Sequence, residues 1–137
     1  MPYLLDTNII SELRRGERAD AKVLAWRRKV AFEETYMSVL VLGEMRCGVE
    51  SKRRKDPASA RAFEKWLNEV EVAYRERILP VSREICDIWG RLGASTKIST
   101  VDGLIAATAA HHGLTVATRN TRDFQRCGVD YINPFVD

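Results

Sequence analysis

Asp6, Glu44, Asp102 and Asp123 are the residues of this sequence whose type and placement can do chemistry together. Asp6 closes the apolar trio Tyr3-Leu4-Leu5 and opens Thr7-Asn8, so it stands between a short strand and the helix after it. An Asp there serves either as a helix N-cap or as a carboxylate facing the crevice beyond the strand ends. Glu44 follows Val39-Leu40-Val41-Leu42-Gly43, a stretch whose neighbours read as buried. An unpaired ionised Glu is costly in such surroundings unless a cation compensates, and a helix dipole offers a first-turn Glu only ~0.3 to 1 kcal/mol. Asp102 falls in the first turn of a helix whose Ala106-Ala107-Thr108-Ala109-Ala110 run lets it pack closely on its neighbours. Asp123 lies in the loop Thr118-Arg119-Asn120-Thr121-Arg122-Asp123-Phe124, with Phe124 available as an anchor in the core. Its alternative use is to cap that loop.

Carboxylates gathered at one place raise one another's pKa unless a cation binds among them. Oxygen donors without paired Cys or His select a hard ion, so the sequence points to Mg²⁺ or Mn²⁺ and away from zinc. Such an ion activates water or polarises a phosphodiester, and no protein nucleophile is then required. The hydroxyls of Thr7, Ser38 and Thr118, with the amide of Asn8, are the groups expected to orient those ligands.

These residues need elements to place them. Residues 3–5 read as a strand, Asn8 to Leu13 as a helix closed by Gly16, and Ala19 to Val30 as a second helix with a basic outer face. Tyr36-Met37-Ser38 is the next strand, and a helix beginning near Leu42 runs into Lys52-Arg53-Arg54-Lys55. Asp56-Pro57 opens another helix, with Phe63, Leu67, Val70 and Tyr74 as its apolar stripe. Ile78 to Val81 is a third strand, and Ser82 caps a helix carrying Ile85, Ile88, Trp89 and Leu92. Ser99-Thr100 cap a helix from Val101 to His111 that Gly113 ends, Leu114 to Thr118 is a fourth strand, and Val129 to Ile132 reads as an edge strand. Strands alternating with helices predict an α/β fold of three layers, a mostly parallel sheet of four or five strands flanked by helices.

The 137 residues, 45% of them apolar, suffice for one domain spanning residues 1–137. Cys47, Cys86 and Cys127 are too scattered for a disulfide framework and suit a reducing cytoplasm, and no apolar run approaches a membrane span or a signal-peptide core. A net charge of +3 is too mild to imply nucleic-acid binding by itself. Its distribution is more informative, since seven basic residues between Arg14 and Lys29 face only Glu17 and Asp20.

Four segments taken in order resemble the PIN domain of VapC and FitB toxins: residues 3–12, ending Asp6-Thr7-Asn8-Ile9-Ile10-Ser11-Glu12; residues 38–45, with Gly43-Glu44-Met45; residues 102–109, Asp102-Gly103-Leu104-Ile105-Ala106-Ala107-Thr108-Ala109; and residues 118–124. The similarity covers essentially the whole chain. It implies a Mg²⁺- or Mn²⁺-dependent endoribonuclease, a homodimer, restrained by a small VapB- or FitA-like antitoxin whose tail occupies the acidic site and through which alone DNA is met. By position, Asp6, Glu44 and Asp102 are the implied core ligands, with Asp123 the fourth acidic residue. Some relatives, the FitB-like subgroup among them, carry Asp where this chain has Asn120. The fourth ligand is thus Asp123, Asn120 through a water, or both, and a second metal is left open.

Arg14, Arg15 and Arg46 lie near the implied ligands in sequence and are candidates for contact with RNA or with an acidic antitoxin. His111 and His112 suit a helix C-terminus, and Trp26, Trp66 and Trp89 suit core or dimer contacts. Two other readings compete. A phosphotransfer enzyme would use Asp6 as nucleophile, but haloacid-dehalogenase phosphatases want a second Asp where Asn8 stands, and a receiver domain wants a Lys where Thr118-Arg119 offers none. A non-catalytic PIN-like module acting through a partner is at odds with retention of all four acidic positions.

Overall fold

Each strand is a short apolar or β-branched run, and most helices begin on a side chain that satisfies their first free N–H groups. The computed structural model of the chain describes residues 1–136. Among them the strands are β1 (Tyr3–Leu5), β2 (Thr35–Ser38), β3 (Ile78–Leu79), β4 (Thr115–Ala117) and β5 (Tyr131–Ile132). The helices are α1 (Thr7–Leu13), α2 (Ala21–Lys29), α3 (Val39–Lys55), α4 (Pro57–Ala73), α5 (Arg83–Gly93), α6 (Thr100–His112) and α7 (Thr121–Arg126). Asp6, Asp20, Ser38, Asp56, Ser82 and Ser99 cap α1 to α6 in turn, each accepting from a backbone N–H of the first turn. Gly113, at φ 66°, ends α6 in the left-handed conformation that residues with a Cβ adopt only at a cost.

All strand pairs are parallel, in the order β3-β2-β1-β4-β5. The chain therefore winds one way from β1 through β2 to β3, then returns past β1 to β4 and β5. The reversal falls between β1 and β4, where Leu4 pairs with Val116 and Leu5 with Ala117. In an open parallel sheet the carboxyl ends of those two strands diverge into a crevice, and that is where ligands are held. The expected α/β fold is borne out, with five strands, all parallel. Among the described residues no helix is long and apolar enough to cross a membrane.

The core explains why the strands are so apolar. Leu4, Leu5, Met37, Val116 and Ala117 are sealed between helix layers, so both faces of the central strands are covered. Val41, Met45 and Val49 bring α3 down on one face, and Ile105, Ala106 and Ala109 bring α6 close with small side chains. The stripe predicted on α4 is present, with Leu67 and Tyr74 buried and Phe63 and Val70 partly so. Trp26 packs edge-on against Tyr3, and Trp66 and Trp89 are partly buried. His111 and His112 are exposed in the last turn of α6.

Helices α3 and α4 form a hairpin laced by charge. Arg46 meets Glu50 at 3.4 Å and Glu64 at 2.6 Å, while Arg53 bonds Glu50 at 3.0 and 3.1 Å and Glu64 at 3.1 Å. Hydrogen bonds from Arg53 and Arg46 hold the Glu50 and Glu64 carboxyls below the usual value, Arg53 dominating at Glu50 and Arg46 at Glu64. Depressed carboxylates stabilise the fold above their unfolded pKa and lose that contribution as pH falls through the folded values. Being exposed, the network gives only a small effect. Glu64→Gln is expected to lower the melting temperature slightly at pH 7. That difference should vanish once acid titration has protonated both carboxylates, and a pH-independent difference would assign the effect to packing instead.

Candidate acidic site

The strand order brings residues far apart in sequence to one crevice. Asp6, just past β1, is only 3% exposed. Its Oδ1 accepts the Thr7 N–H at 2.8 Å, and its Oδ2 accepts the Thr118 hydroxyl at 2.7 Å and the Asn8 amide at 3.3 Å. Thr118 follows β4, so this one carboxylate ties together the two strands that flank the reversal. Asn8 completes the clasp, since its Oδ1 accepts the Arg119 N–H at 3.0 Å. Asp6 is the cap of α1, one of the two readings the sequence allows, and its other oxygen is turned to Thr118 at the end of β4.

Glu44 is joined to this group by the Thr7 hydroxyl, which donates to its Oε1. Its surroundings differ from those expected. Glu44 is exposed and lies in the second turn of α3, because the helix begins at Val39 on the Ser38 cap. The buried face of α3 is Val41, Met45 and Val49, at i, i+4 and i+8, and Glu44 lies about 100° around the helix from Met45. Burial is thus not the reason a carboxylate stands here, and its position over the crevice rests on Thr7. Ser38 is fully buried and accepts the Leu40 N–H at 3.1 Å, which makes it the cap of α3.

Asp102 and Asp123 meet through Asn120. The Asn120 amide donates to Asp102 Oδ2 at 3.0 Å and to Asp123 Oδ2 at 2.9 Å, while its backbone N–H donates to the Thr118 hydroxyl at 2.9 Å. Asp123 belongs to the first turn of α7 and not to a loop, and fully buried Phe124 anchors that turn in the core as expected. Asn120 therefore links both carboxylates to the Thr118 hydroxyl and, through it, to Asp6.

The electrostatics record this crowding. Burial, above all, pushes the Asp6 carboxyl above its usual value; the bonds from Thr118 and Thr7 oppose it, and the charges of Asp102 and Glu44 add to it. Burial also raises Asp102, opposed by Ser99 and Asn120 and reinforced by Asp123 and Glu44. The thiol of buried Cys127 is raised by burial and then by Asp123 and Asp102. One crevice therefore holds mutually repelling carboxylates with Thr and Asn groups between them. That donor set is the one hard divalent cations accept. As the side chains stand, no three Asp, Glu, His or Cys among the described residues are gathered tightly enough to enclose an ion. Thr7 and Asn120 occupy the intervening positions. Glu44 Oε2 and Asp123 Oδ1 accept no hydrogen bond among the described residues.

A model of the PIN domain family matches residues 3–129. The chain belongs to the PIN domain family. The VapC ribonuclease Y4jK of Sinorhizobium fredii is 41% identical over 140 residues, covering 96% of each chain. Toxin FitB of Neisseria gonorrhoeae is 34% identical over 142 residues, covering 98% of this chain and 99% of its own. Among solved structures, that of FitAcB from Neisseria gonorrhoeae superposes with a TM-score of 0.89 at 32% identity, covering 97% of this chain and 98% of that one.

Within this PIN domain three basic candidates have definite surroundings. Arg15 bonds Glu12 at 3.1 Å, Arg46 is held by Glu50 and Glu64, and the Arg14 guanidinium lies 3.7 Å from the centre of the Phe63 ring. A positioning contact escaped the sequence. The Trp89 indole covers Gly103, the residue after Asp102, so closely that a Cβ there would stand 2.9 Å from Trp89 Cδ1 and 3.0 Å from Nε1. Only a helical Gly at that position, with a Trp one helix earlier, signals it.

Two outcomes test this geometry. Gly103→Ala must displace the indole, an overpacking cost of about 1 to 3 kcal/mol, and thermal denaturation should show it, with partial recovery in Gly103→Ala/Trp89→Leu. A carboxylate with a raised folded pKa costs stability when ionised, so Asp6 and Asp102 destabilise the ion-free protein above those values and cease to as pH falls through them. Asp102→Asn is expected to melt higher than the parent at pH 7 in EDTA, with the gap closing in acid. A lower melting point at pH 7 would contradict the repulsion described.

Proposed function

We propose that this PIN domain is a Mg²⁺- or Mn²⁺-dependent endoribonuclease and the toxin of a toxin–antitoxin pair. The observation that carries the reading is the convergence of Asp6, Glu44, Asp102 and Asp123 on the crevice at the sheet's reversal, in a chain 41% identical to a protein named a ribonuclease. Relatives named as a toxin and solved as FitAB on a DNA fragment supply the second half of it. The partner is a small antitoxin whose tail enters the acidic crevice and which alone meets DNA. The chain acts in the cytoplasm as a homodimer.

Asp6, Glu44, Asp102 and Asp123 would hold the ion, with Asn120 contributing through a water or by orienting Asp102 and Asp123. When bound, the ion supplies Lewis acidity, favouring deprotonation of the attacking water and offsetting charge on the phosphate. Thr118 and the Thr7 N–H fix the Asp6 carboxylate so that it turns little during the reaction, and Thr7 holds Glu44 across the crevice. Burial of Asp6 excludes water from one wall and strengthens attraction to a cation. The same enclosure disfavours Asp6 as a nucleophile, since Oδ2 already accepts two hydrogen bonds.

Purified protein free of its partner is expected to cleave mixed cellular RNA with Mn²⁺ and to stop on addition of EDTA. Thr118→Ala should lose activity by roughly 10- to 100-fold, as for groups that orient a ligand, and Asp6→Asn by more. Metal-independent cleavage, or full activity of Asp6→Asn, would reject the mechanism. Mn²⁺ at 100 times its Kd should stabilise the parent by about 2.7 kcal/mol and Asp6→Asn far less. Expression of the chain alone is expected to arrest growth and Glu44→Gln to relieve it; arrest that persists would place the toxicity elsewhere.

A further inference from the structure

A nuclease built on carboxylates repels its own substrate, so cations must stand beside the acidic crevice to hold the strand there. Several of the chain's arginines are already engaged: Arg15, Arg46, Arg53 and Arg91 all lie in ion pairs. Lys97 and Arg126 are different. They are exposed, neither has a carboxylate partner among the described residues, and together they line an open cavity of about 410 Å³ with Ser95 and Thr96. The Ser95 and Thr96 hydroxyls both donate to the Leu92 carbonyl, at 3.3 and 2.8 Å. They form a fixed wall, and the free donors of the cavity are the two cations.

The segments carrying these cations are those that carry the site. Lys97 lies between α5 and α6, five residues before Asp102, and Arg126 lies one turn of α7 beyond Asp123. Asn120 bonds both Asp102 and Asp123, so the two segments are pinned together at the crevice. The cavity is therefore lined by the same two segments that bring Asp102 and Asp123 to the crevice. On α3, the helix that carries Glu44, Arg46 and Arg53 are paired with Glu50 and Glu64.

We propose that the Lys97 and Arg126 cavity is a substrate subsite that binds a backbone phosphate of the RNA strand flanking the one cut. This rests on the ribonuclease reading and adds a direction to it, since the strand leaves the crevice past α7 and the loop before α6. Phosphate contacts position a strand without reading its bases, so the subsite contributes affinity and register for any sequence.

The test is binding of a single-stranded RNA oligonucleotide to the full chain, by fluorescence anisotropy in EDTA so that the strand stays whole, across a range of salt. Lys97→Ala and Arg126→Ala should each weaken binding several-fold at low salt. Each should also lower the slope of log affinity against log salt by about 0.7, and the double variant by about twice that. With Mn²⁺, KM should rise while kcat at saturating RNA and the melting temperature stay at parental values. An RNA affinity and salt slope unchanged in the double variant would overturn the subsite while leaving the ribonuclease reading intact. A parent that binds and cleaves no RNA would remove both. If the double variant instead loses affinity for polyglutamate and keeps it for RNA, the cavity serves an acidic protein and the proposal fails.

Discussion

The buried carboxylate of Asp6 is the constraint on which the rest of the molecule turns. It satisfies the start of α1, receives the hydroxyl that ends β4, and is 3% exposed in a crevice that other carboxylates share. An ionised group so enclosed is tolerated only because three donors converge on it. The parallel order of the sheet follows the same logic. Placing β1 beside β4 makes Asp6 and Thr118 neighbours, and the crossovers through α3 and α6 then deliver Glu44 and Asp102 to the same rim.

Stability and function pull against each other here. Charge from neighbouring carboxylates adds to the burial that raises Asp6 and Asp102, and Thr7, Asn8, Thr118 and Asn120 are the neutral groups that hold the set together. Asn120 has a particular part, because an amide can donate to two carboxylates at once where a further acid would only repel them. The cost of this crowding is met by the apolar layers of α3 and α6 beneath it, where Met45 and Ile105 are buried.

Much of this was legible from residue types. The trio Tyr3-Leu4-Leu5 stopped by Asp6, the Ser82 and Ser99 caps, Pro57 at a helix start and Gly113 at a helix end all announced their elements, because each acts through its immediate neighbours. What was missed depends on direction or distance. Glu44 sits among apolar residues in sequence, yet successive helix residues point about 100° apart, so sequence neighbours of a buried Met45 need not be buried. The sequence places the helix of Glu44 three residues late, near Leu42, because the apolar run before it shows no period, and only the Ser38 cap starts α3 at Val39. Thr121 to Arg126 is too short to show a helical stripe. The capture of Arg46 by Glu64 spans two helices and leaves no local trace.

The tie between Asp6 and Thr118 joins positions 112 residues apart in the chain. A polypeptide leaving the ribosome therefore presents its first carboxylate early and its clasp very late. Until β4 and the turn after it have emerged, Asp6 has neither the hydroxyl that orients it nor the strand that walls it in. The assembled crevice is in this way withheld during synthesis by topology alone, and it arrives only with a chain long enough to have folded around it.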